Sequence, residues 1–300
     1  MIRAAIIGCG NIGKGVYEAI AAAPDFTLAG IVKRNESSKI PKELQKENIV
    51  TDIAELEKSG KIDAALLCLP SRSIPDAAQI YLERGINTID GYDIHDSLWD
   101  VQLKLDACAK KNKAVAILGT GWDPGSDSVI RAMFEAMAPK GKTYTNFGPG
   151  MSMGHTVAVK AVKGVKSALS VTIPKGEGLH RRMVYIDIED GYDFDKVAEV
   201  IKNDPYFVHD ETYVNREKDI DSLIDVGHGA YIIRKGVSGI THNQLIEYRI
   251  KANNPALTAQ VMVSSARASM KQQPGCYTMI EIPAIDYLYG QKEDLIRRLV

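Results

Sequence analysis

The chain has 300 residues, 45% hydrophobic and 25% charged, which is an ordinary globular composition and, at roughly 150 residues per domain, predicts about two domains. Its 37 Lys and Arg against 38 Asp and Glu leave a net charge of -1, so no basic field exists to bind a nucleic acid backbone. No apolar run reaches the ~18 to 20 residues of a membrane span, and no signal peptide precedes the first apolar run, so we expect neither a nucleic acid nor a membrane partner.

The first part of the chain alternates short apolar runs with segments of helical spacing. The apolar run 3–7 ends at Gly8, and helical spacing follows over 11–23. Further strands are predicted at 28–32, 62–69, 86–89 and 114–118, and further helices at 74–84 and 97–111. Continuous apolar strands separated by helices indicate a parallel sheet that is covered on both faces, as in a doubly wound α/β fold.

The pattern changes after residues 120–125. A helix is predicted at 126–137, and strand-like segments follow at 170–173, 183–188 and 230–234, which favours an antiparallel α+β domain. We expect the helix at 255–273 to pack back on the first domain. The predicted domains are therefore 1–122, joined by the segment of about 255–300, and 123–254.

A glycine fingerprint, G-x-G-x-x-G, lies between the first strand and the first helix. It consists of Gly8, Cys9, Gly10, Asn11, Ile12 and Gly13. The glycines permit a tight turn and a close approach of the backbone to a pyrophosphate, which the helix N-terminus attracts. A chance glycine turn is the alternative, but the flanking strand and helix favour a Rossmann dinucleotide-binding domain.

The residues after the second strand indicate which dinucleotide is bound. An NAD-specific site normally has Asp or Glu here, whereas this chain has Lys33, Arg34 and Asn35. A cationic pair would stabilise a 2′-phosphate through charge-assisted hydrogen bonds, which favours NADP. The alternative is a solvated surface pair.

Polar loops also follow the later strands, and two of them carry carboxylates, Asp93 and Asp123. Ligands in such sheets bind beyond the carboxyl ends of the strands, so these loops should converge on the dinucleotide. Facing carboxylates suit a substrate with an ammonium group, whose proton one of them can accept before a hydride leaves the carbon. In the alternative, both aspartates only cap turns or helices.

The cysteines and histidines form no recognisable metal site. Cys9, Cys68, Cys108 and Cys276 are scattered singly, which is typical of buried thiols in a reducing, cytoplasmic compartment. His155, His180 and His242 lack close ligand spacing, so we predict no metal. Arg181 and Arg182 could clamp a carboxylate, but spacing does not distinguish them.

Several motifs together resemble those of the meso-diaminopimelate D-dehydrogenase family. They run from the glycine fingerprint through Tyr92-Asp93, the segments 120–125 and 146–155, and Gly227-His228-Gly229 to Thr241-His242-Asn243, Asn253-Asn254-Pro255 and Gly275-Cys276-Tyr277, so the resemblance covers essentially the whole chain. It implies a Rossmann domain that binds NADP, a second domain for substrate binding and dimerisation, and a homodimer. The implied reaction is oxidative deamination of the D-centre of meso-2,6-diaminopimelate to L-2-amino-6-oxopimelate, which cyclises to tetrahydrodipicolinate, with release of ammonia. In reverse this is a reductive amination of lysine biosynthesis.

The resemblance also implies roles for individual residues. Around the reacting D-centre it implies Asp93, Trp122 and Asp123, with Met153 and Gly154 near its carboxylate and Phe147 lining the pocket. On the distal L-centre it implies Thr172, Arg182, His228 and Asn254. Beyond the glycine fingerprint and residues 33–35, the implied cofactor contacts are Leu69, Pro70, Ser71, Arg72, Gly91, Tyr92, Asp93, Thr120, Gly121, Trp122, Asp123 and Pro124. For the catalytic base we favour Asp123, with Asp93 second.

One position departs from part of the family, and other functions stay open. Some members have Gln where this chain has Met153, so we expect a less polar proximal end and weak amination of simple 2-keto acids to D-amino acids. The rival readings are another NAD(P)-dependent amino-acid dehydrogenase or reductase, such as an aspartate dehydrogenase or dihydrodipicolinate reductase, and a non-catalytic NADP sensor. Paired aspartates and Arg182 argue against the sensor, because a sensor needs no second, zwitterion-shaped pocket.

Overall fold

The computed structural model describes residues 1–35, 40–224 and 228–300. The chain separates into two compact units: unit 1 is Met1–Ile130 with Pro255–Val300, and unit 2 is Arg131–Asn254. Gly227, part of one motif above, lies outside the described residues.

The regular elements of the described residues are numbered in chain order. The strands are β1 (Ile2–Ile7), β2 (Phe26–Val32), β3 (Ile49–Val50), β4 (Ala64–Leu67), β5 (Asn87–Asp90), β6 (Val115–Ile117), β7 (Lys140–Phe147), β8 (Gly150–Met151), β9 (Val165–Gly176), β10 (Leu179–Ile188), β11 (Glu211–Arg216), β12 (His228–Ser238), β13 (Thr241–Ala252) and β14 (Gly275–Tyr277). The α-helices are α1 (Asn11–Ala22), α2 (Ile53–Glu57), α3 (Ile74–Leu82), α4 (Leu98–Lys111), α5 (Ser126–Met137), α6 (Met153–Lys160), α7 (Phe194–Lys202), α8 (Asn254–Ser269) and α9 (Lys292–Leu299).

Unit 1 is built on a parallel sheet of order β14-β6-β5-β4-β1-β2-β3. Strand β1 shows why both faces are covered. Ala5 and Ile7 join a cluster with α3 and α4, whereas the alternate residues Ala4 and Ile6 join a cluster with α1 and α8. Because successive side chains of a strand point to opposite faces, a continuous apolar run is buried on both sides. The predicted doubly wound Rossmann fold is confirmed.

Two strands of this sheet were not predicted from the sequence. Strand β3 extends the edge beyond β2, and β14 pairs in parallel with β6 at the opposite edge. They contain two and three residues, which is too short for periodicity to be visible.

Unit 2 contains two sheets and has a mixed strand direction. The sheet of order β13-β12-β7 is antiparallel, as expected for this region. In the sheet of order β11-β10-β9-β8, β10 and β9 are also antiparallel, but β11 runs parallel to β10, so the expected antiparallel arrangement does not hold for this one pair. Helix α7 lies between β10 and β11 in the chain. It returns the chain to the end of the sheet at which β10 begins, as a parallel strand pair requires.

The core of unit 2 lies between α6, α7 and the four-stranded sheet. Val184 and Ile186 of β10 are fully buried and cluster with Ile201 of α7 and the loop residue Phe207. The buried positions alternate along β10, so the residues between them are available for a second surface. Among the described residues, no helix combines the length and the apolarity that crossing a bilayer demands.

Candidate active site

The polar loops of unit 1 leave the sheet side by side. They follow β6, β5, β4, β1 and β2, which are consecutive neighbours in the sheet. Their carboxyl ends share one edge, so the loops beginning at Gly8, Lys33, Cys68, Gly91 and Leu118 lie next to one another. This edge is the usual position of a dinucleotide in an open parallel sheet.

The three fingerprint glycines have different surroundings. At Gly8, whose φ is +104°, an added Cβ would lie 2.4 Å from the Cys68 carbonyl oxygen, and at Gly13 it would lie 2.2 Å from the Gly8 carbonyl oxygen. A Cβ at Gly10, which precedes the first turn of α1, would meet nothing within 4 Å. Two glycines therefore allow a tight turn, and the third leaves open space before the helix N-terminus, as a pyrophosphate requires.

The segment predicted to bind the ribose of the dinucleotide follows β2 directly. Lys33 continues the pairing with β3 through a 2.9 Å hydrogen bond from its main-chain nitrogen to Val50 O, and its side chain is largely buried. Arg34 and Asn35 are exposed. No acidic side chain occupies these three positions, where an NAD-specific site normally has Asp or Glu.

Asp93 is held by the neighbouring loop. The Ser71 hydroxyl donates to Asp93 Oδ1 at 2.6 Å, and the Asp93 main-chain nitrogen donates to Ser71 Oγ at 3.3 Å. These bonds fix the loops after β4 and β5 to each other. Asp93 thus presents a carboxylate at a defined place beside the predicted cofactor.

A buried carboxyl group that the sequence analysis did not single out connects two of the loops. Asp90, the last residue of β5, accepts from Tyr92 N at 3.0 Å and Gly119 N at 3.2 Å through Oδ1, and its carbonyl accepts from Thr120 N and Oγ1. Burial raises the pKa of Asp90 to about 7, although the two hydrogen bonds from main-chain N–H groups act in the opposite direction. Asp90 thereby sets the positions of the loops that carry Asp93 and Asp123. The signal in the sequence that could have identified Asp90 is an acidic residue at the end of an apolar strand.

The loop after β6 carries the other predicted acidic residue. Trp122 is buried, and its carbonyl accepts from Asp127 N at 2.8 Å at the start of α5. Asp123 follows at once, in the same turn. The two carboxylates, Asp93 and Asp123, therefore leave neighbouring strands of unit 1, as the sequence predicted.

Unit 2 brings Thr172, Arg182 and a third residue, Asp210, together. Arg182 and Thr172 are register partners on β10 and β9, and Arg182 Nη1 donates to Thr172 Oγ1. Arg182 Nε donates to Asp210 Oδ2 at 2.6 Å. Within the described residues Nη2 makes no hydrogen bond, so the guanidinium of the buried Arg182 is fixed by two groups and still offers N–H donors to a carboxylate.

Arg181, the residue before Arg182, points away from this group. It pairs with Glu211 and lies over the Tyr213 ring, because alternate residues of a strand face opposite sides of the sheet. Asp210 was not predicted from the sequence, because it is 28 positions from Arg182 and no local signal relates the two residues.

Phe147 makes ring contacts with two histidines, His180 and His228, on both of which the charge of Arg182 acts. The Phe147 and His180 ring centroids are 5.4 Å apart, and those of Phe147 and His228 are 6.4 Å apart with the planes 6° from parallel. Burial, followed by the charge of Arg182, lowers the pKa of His228 to about 4. His228 is thus a neutral hydrogen-bonding group at neutral pH.

Met153 and Gly154 form the first turn of α6, next to a buried serine–histidine contact. Ser152 Oγ and His155 Nδ1 are 2.7 Å apart, and the His155 ring contacts Tyr206 and Phe207 edge to face. Burial, followed by Arg182, lowers the pKa of His155 to about 3. Asn254, another predicted site residue, is the first residue of α8, where unit 2 ends.

The described residues contain no group of three His, Cys, Asp or Glu side chains that could hold a metal ion. None of the four cysteines forms a disulfide within the part of the chain that the structure describes. Unit 1 thus carries the predicted carboxylates at the end of its sheet, and unit 2 by itself carries a fixed guanidinium beside His228, which is neutral at neutral pH.

Comparison with known proteins assigns both parts of the chain to families. Residues 2–119 match the oxidoreductase family with an NAD-binding Rossmann fold, and residues 121–181 match the diaminopimelic acid dehydrogenase C-terminal domain. Unit 1 is thus a Rossmann domain of the type that binds a nicotinamide dinucleotide.

Full-length relatives agree with this assignment. The meso-diaminopimelate D-dehydrogenase of Bacteroides fragilis is 58% identical over 299 residues, covering 100% of this chain and 99% of the relative. The structure of Corynebacterium glutamicum DAP dehydrogenase in complex with DAP aligns with a TM-score of 0.90 at 30% identity, covering 100% of this chain and 99% of the other. An engineered D-amino acid dehydrogenase bound to NADP+ aligns with a TM-score of 0.89 at 28% identity and the same coverage. The chain belongs to the meso-diaminopimelate D-dehydrogenase family.

Proposed function

We propose that this protein catalyses the oxidative deamination of the D-centre of meso-2,6-diaminopimelate, producing L-2-amino-6-oxopimelate and ammonia, and the reverse reductive amination in lysine biosynthesis. The full-length 58% identity to a meso-diaminopimelate D-dehydrogenase carries the proposal. The charges of the described residues agree with it, since a substrate with two ammonium groups and two carboxylates needs both anions and cations to bind it.

The cofactor we propose is NADP. The cationic residues Lys33 and Arg34 stand where an NAD-specific site has a carboxylate, and a solved relative is bound to NADP+. The open space at Gly10 fits the pyrophosphate. NADP held there would supply a hydride acceptor for the carbon that carries the reacting amine.

The carboxylates of unit 1 act on the reacting amine. An ammonium group must lose a proton before its carbon can give up a hydride, and we assign Asp123 as its partner and base, with Asp93 as the second candidate. Ser71 holds Asp93 in place by its 2.6 Å bond, so Asp93 can orient the amine without changing its own position. Water then attacks the resulting C=N bond, and ammonia leaves.

The cationic group of unit 2 binds the distal L-centre. Arg182, held by Asp210 and Thr172, offers its remaining N–H groups to the distal carboxylate, and neutral His228 supplies a further hydrogen bond. Asn254 is assigned to the same end, Met153 and Gly154 are assigned to the carboxylate of the reacting end, and Phe147 is assigned to the lining of the pocket. Holding both ends presents only one stereocentre to the cofactor, so stereochemistry follows from positioning.

A side activity follows from Met153. A thioether cannot hydrogen-bond the proximal carboxylate as the Gln of some family members can, so we propose weak amination of simple 2-keto acids to D-amino acids. Incubation with pyruvate, ammonia and NADPH should yield D-alanine, and its absence would reject the side activity.

We further propose that the protein works as a cytoplasmic homodimer. The four cysteines are scattered singly along the sequence, which is typical of proteins in a reducing compartment. The dimer follows from the family resemblance, and light scattering of the purified protein tests it directly.

One assay tests the reaction, the stereochemistry and the cofactor together. NADPH formation is measured with meso-, LL- and DD-diaminopimelate, each with NADP and with NAD. We expect turnover largely confined to the meso isomer with NADP. Tight NADP binding without turnover of any isomer would instead favour a related dehydrogenase or a sensor.

A further inference from the structure

The two sheets of unit 2 each carry part of the group assigned to the distal carboxylate. Thr172 and Arg182 lie on β9 and β10 of the four-stranded sheet, whereas Phe147 and His228 lie on β7 and β12 of the three-stranded sheet. The pocket therefore depends on how firmly one sheet is held against the other.

His180 makes a hydrogen bond between these sheets. The Phe147 main-chain nitrogen, at the end of β7, donates to His180 Nε2 on β10 at 2.8 Å. His180 stands two residues before Arg182 on the same strand, so both side chains face the same side of the sheet. Only an unprotonated ring nitrogen can accept this bond.

A second bond joins the sheets one residue earlier. Asn146, which is buried, accepts from the Gly178 main-chain nitrogen through Oδ1 at 2.9 Å. Consecutive residues of β7 are thus tied to the start of β10 and to the turn before it. Gly178 N and His180 Nε2 together fix the register between the two sheets at this end.

The same imidazole also supports the rings of the pocket. The His180 ring contacts the Phe147 ring, and the Phe147 ring lies almost parallel to that of His228. A shift of Phe147 would therefore disturb the contact with His228. Arg182 would not follow, because Asp210 and Thr172 hold it from its own sheet.

We propose that His180 is a positioning residue for substrate recognition: its bond to Phe147 N couples the sheet of Phe147 and His228 to the sheet of Thr172 and Arg182. The proposal rests on the assignment of Thr172, Arg182 and His228 to the distal end of meso-diaminopimelate and of Phe147 to the lining of the pocket. His180 itself touches the main chain and ring of Phe147 and is given no contact with substrate.

The charges around His180 keep it in the form that the bond needs. Burial, followed by the nearby Arg182 charge, lowers the pKa of His180, and Asp210 opposes this only in part. With a pKa below its ordinary value of about 6.5, the imidazole is mostly unprotonated at neutral pH, so Nε2 can accept the bond from Phe147 N. A lysine or an arginine here would have no acceptor to offer.

The main test compares two substitutions of His180 with opposite properties. His180→Phe keeps an aromatic ring but removes the acceptor, and His180→Gln removes the ring but keeps an amide oxygen that can accept from Phe147 N. We expect H180F to raise KM for meso-diaminopimelate about tenfold, with kcat and KM for NADP nearly unchanged. H180Q should restore KM for the amino acid to within about threefold of wild type.

An exposed histidine supplies the matched control. His242, in β13, is solvent-exposed, and His242→Phe should leave all three kinetic constants unchanged. Should H180F not fold, His180→Met, which also lacks a strong acceptor, takes its place. A wild-type KM in H180F, or a parallel rise in both KM values that H180Q does not reverse, overturns the proposal.

A measurement without substrate separates this proposal from the assigned reaction. Hydrogen exchange of the Phe147 amide should be about tenfold faster in H180F than in wild type or H180Q, while that of Ile232, in the core of β12, stays the same. Unchanged Phe147 protection in H180F rejects the coupling, whether or not the enzyme oxidises meso-diaminopimelate. Loss of protection in an enzyme inactive on all isomers would reject the reaction and support the coupling.

Discussion

Arg182 and Asp210 form a largely buried ion pair at 2.6 Å, directly beside the exposed pair of Arg181 and Glu211 at 3.2 Å. The side chains of the first pair are 10% and 20% exposed, those of the second 39% and 33%. Arg181 and Glu211 link β10 to β11, and Arg182 and Asp210 link β10 to the residue just before β11. The two ion pairs therefore differ mainly in burial and in the face of the sheet that they occupy. They offer a matched comparison of a site interaction with a surface interaction.

We expect Asp210→Asn to raise KM for meso-diaminopimelate by about tenfold or more. The guanidinium loses the anion that orients it, and a charge-assisted bond to a buried group contributes more than a surface pair. Glu211→Gln is the control and should change KM by less than about threefold, since exposed pairs contribute little. Steady-state kinetics of both variants measure this; equal effects of the two substitutions would contradict the role of Asp210.

The glycine fingerprint predicts a separation of stability from cofactor binding. Gly10→Ala puts a methyl group into open space, so we expect a near-normal melting temperature but a KM for NADP raised at least about tenfold, where the methyl meets the pyrophosphate. Gly13→Ala forces a Cβ against Gly8 O and should instead destabilise the fold by about 1–3 kcal/mol. Thermal unfolding and kinetics together decide; a G10A enzyme with normal KM would show that the cofactor does not approach Gly10.

Cofactor preference should depend on Lys33 and Arg34. Replacing both by Ala removes the charges assigned to the 2′-phosphate, so KM for NADP should rise by about tenfold to a hundredfold while KM for NAD changes little. Lys14→Ala, which breaks an exposed pair with Glu43, serves as a control for a change in surface charge. If the double substitution affects NADP and NAD equally, the assignment of the phosphate site is wrong.

Asp123→Asn tests the assigned base. The amide keeps the size of the side chain but neither attracts the ammonium group nor accepts its proton, so we expect kcat to fall by about a hundredfold or more. Asp93→Asn should have the smaller effect on kcat, because Asp93 is the second candidate. The turnover numbers at saturating substrate measure this, and a wild-type value in D123N would remove Asp123 from the mechanism.

Buried histidines should make the fold sensitive to acid. The pKa of His155 is lowered to about 3 in the folded protein, whereas an unfolded chain has a value of about 6.5. As the pH falls below about 6.5, the unfolded chain binds the proton first, so stability decreases until about pH 3. At about pH 5 this single group reduces the free energy of unfolding by about 2 kcal/mol relative to neutral pH.

The acid effect can be assigned by substitution. His155→Asn can still bond to Ser152 but does not titrate, so urea unfolding at about pH 7.5 and pH 5 should show a loss smaller by about 2 kcal/mol than in wild type. His242→Asn, at an exposed position, is the control and should keep the wild-type loss. An unchanged loss in H155N would show that His155 is protonated in the folded protein.

The parts of the fold set by local pattern were predictable. The buried strands and amphipathic helices of unit 1 are visible as apolar runs and helical spacing, and Gly8 and Gly13 mark the turn because nearby main-chain atoms leave no room for a Cβ at either position. The parallel pairing of β11 with β10 was not, since strand direction depends on where α7 returns the chain.

The sequence by itself determined the glycine turn, the cationic residues after β2 and the acidic residues after β5 and β6, because these are consequences of residue type at positions close together in the chain. Only the tertiary structure distinguished Arg182 from Arg181, joined Arg182 to Asp210 and brought His180 to Phe147 N. These contacts span 28 to 33 positions. Their formation depends on strand register and on the packing of two sheets, which fix partners that no local spacing can indicate.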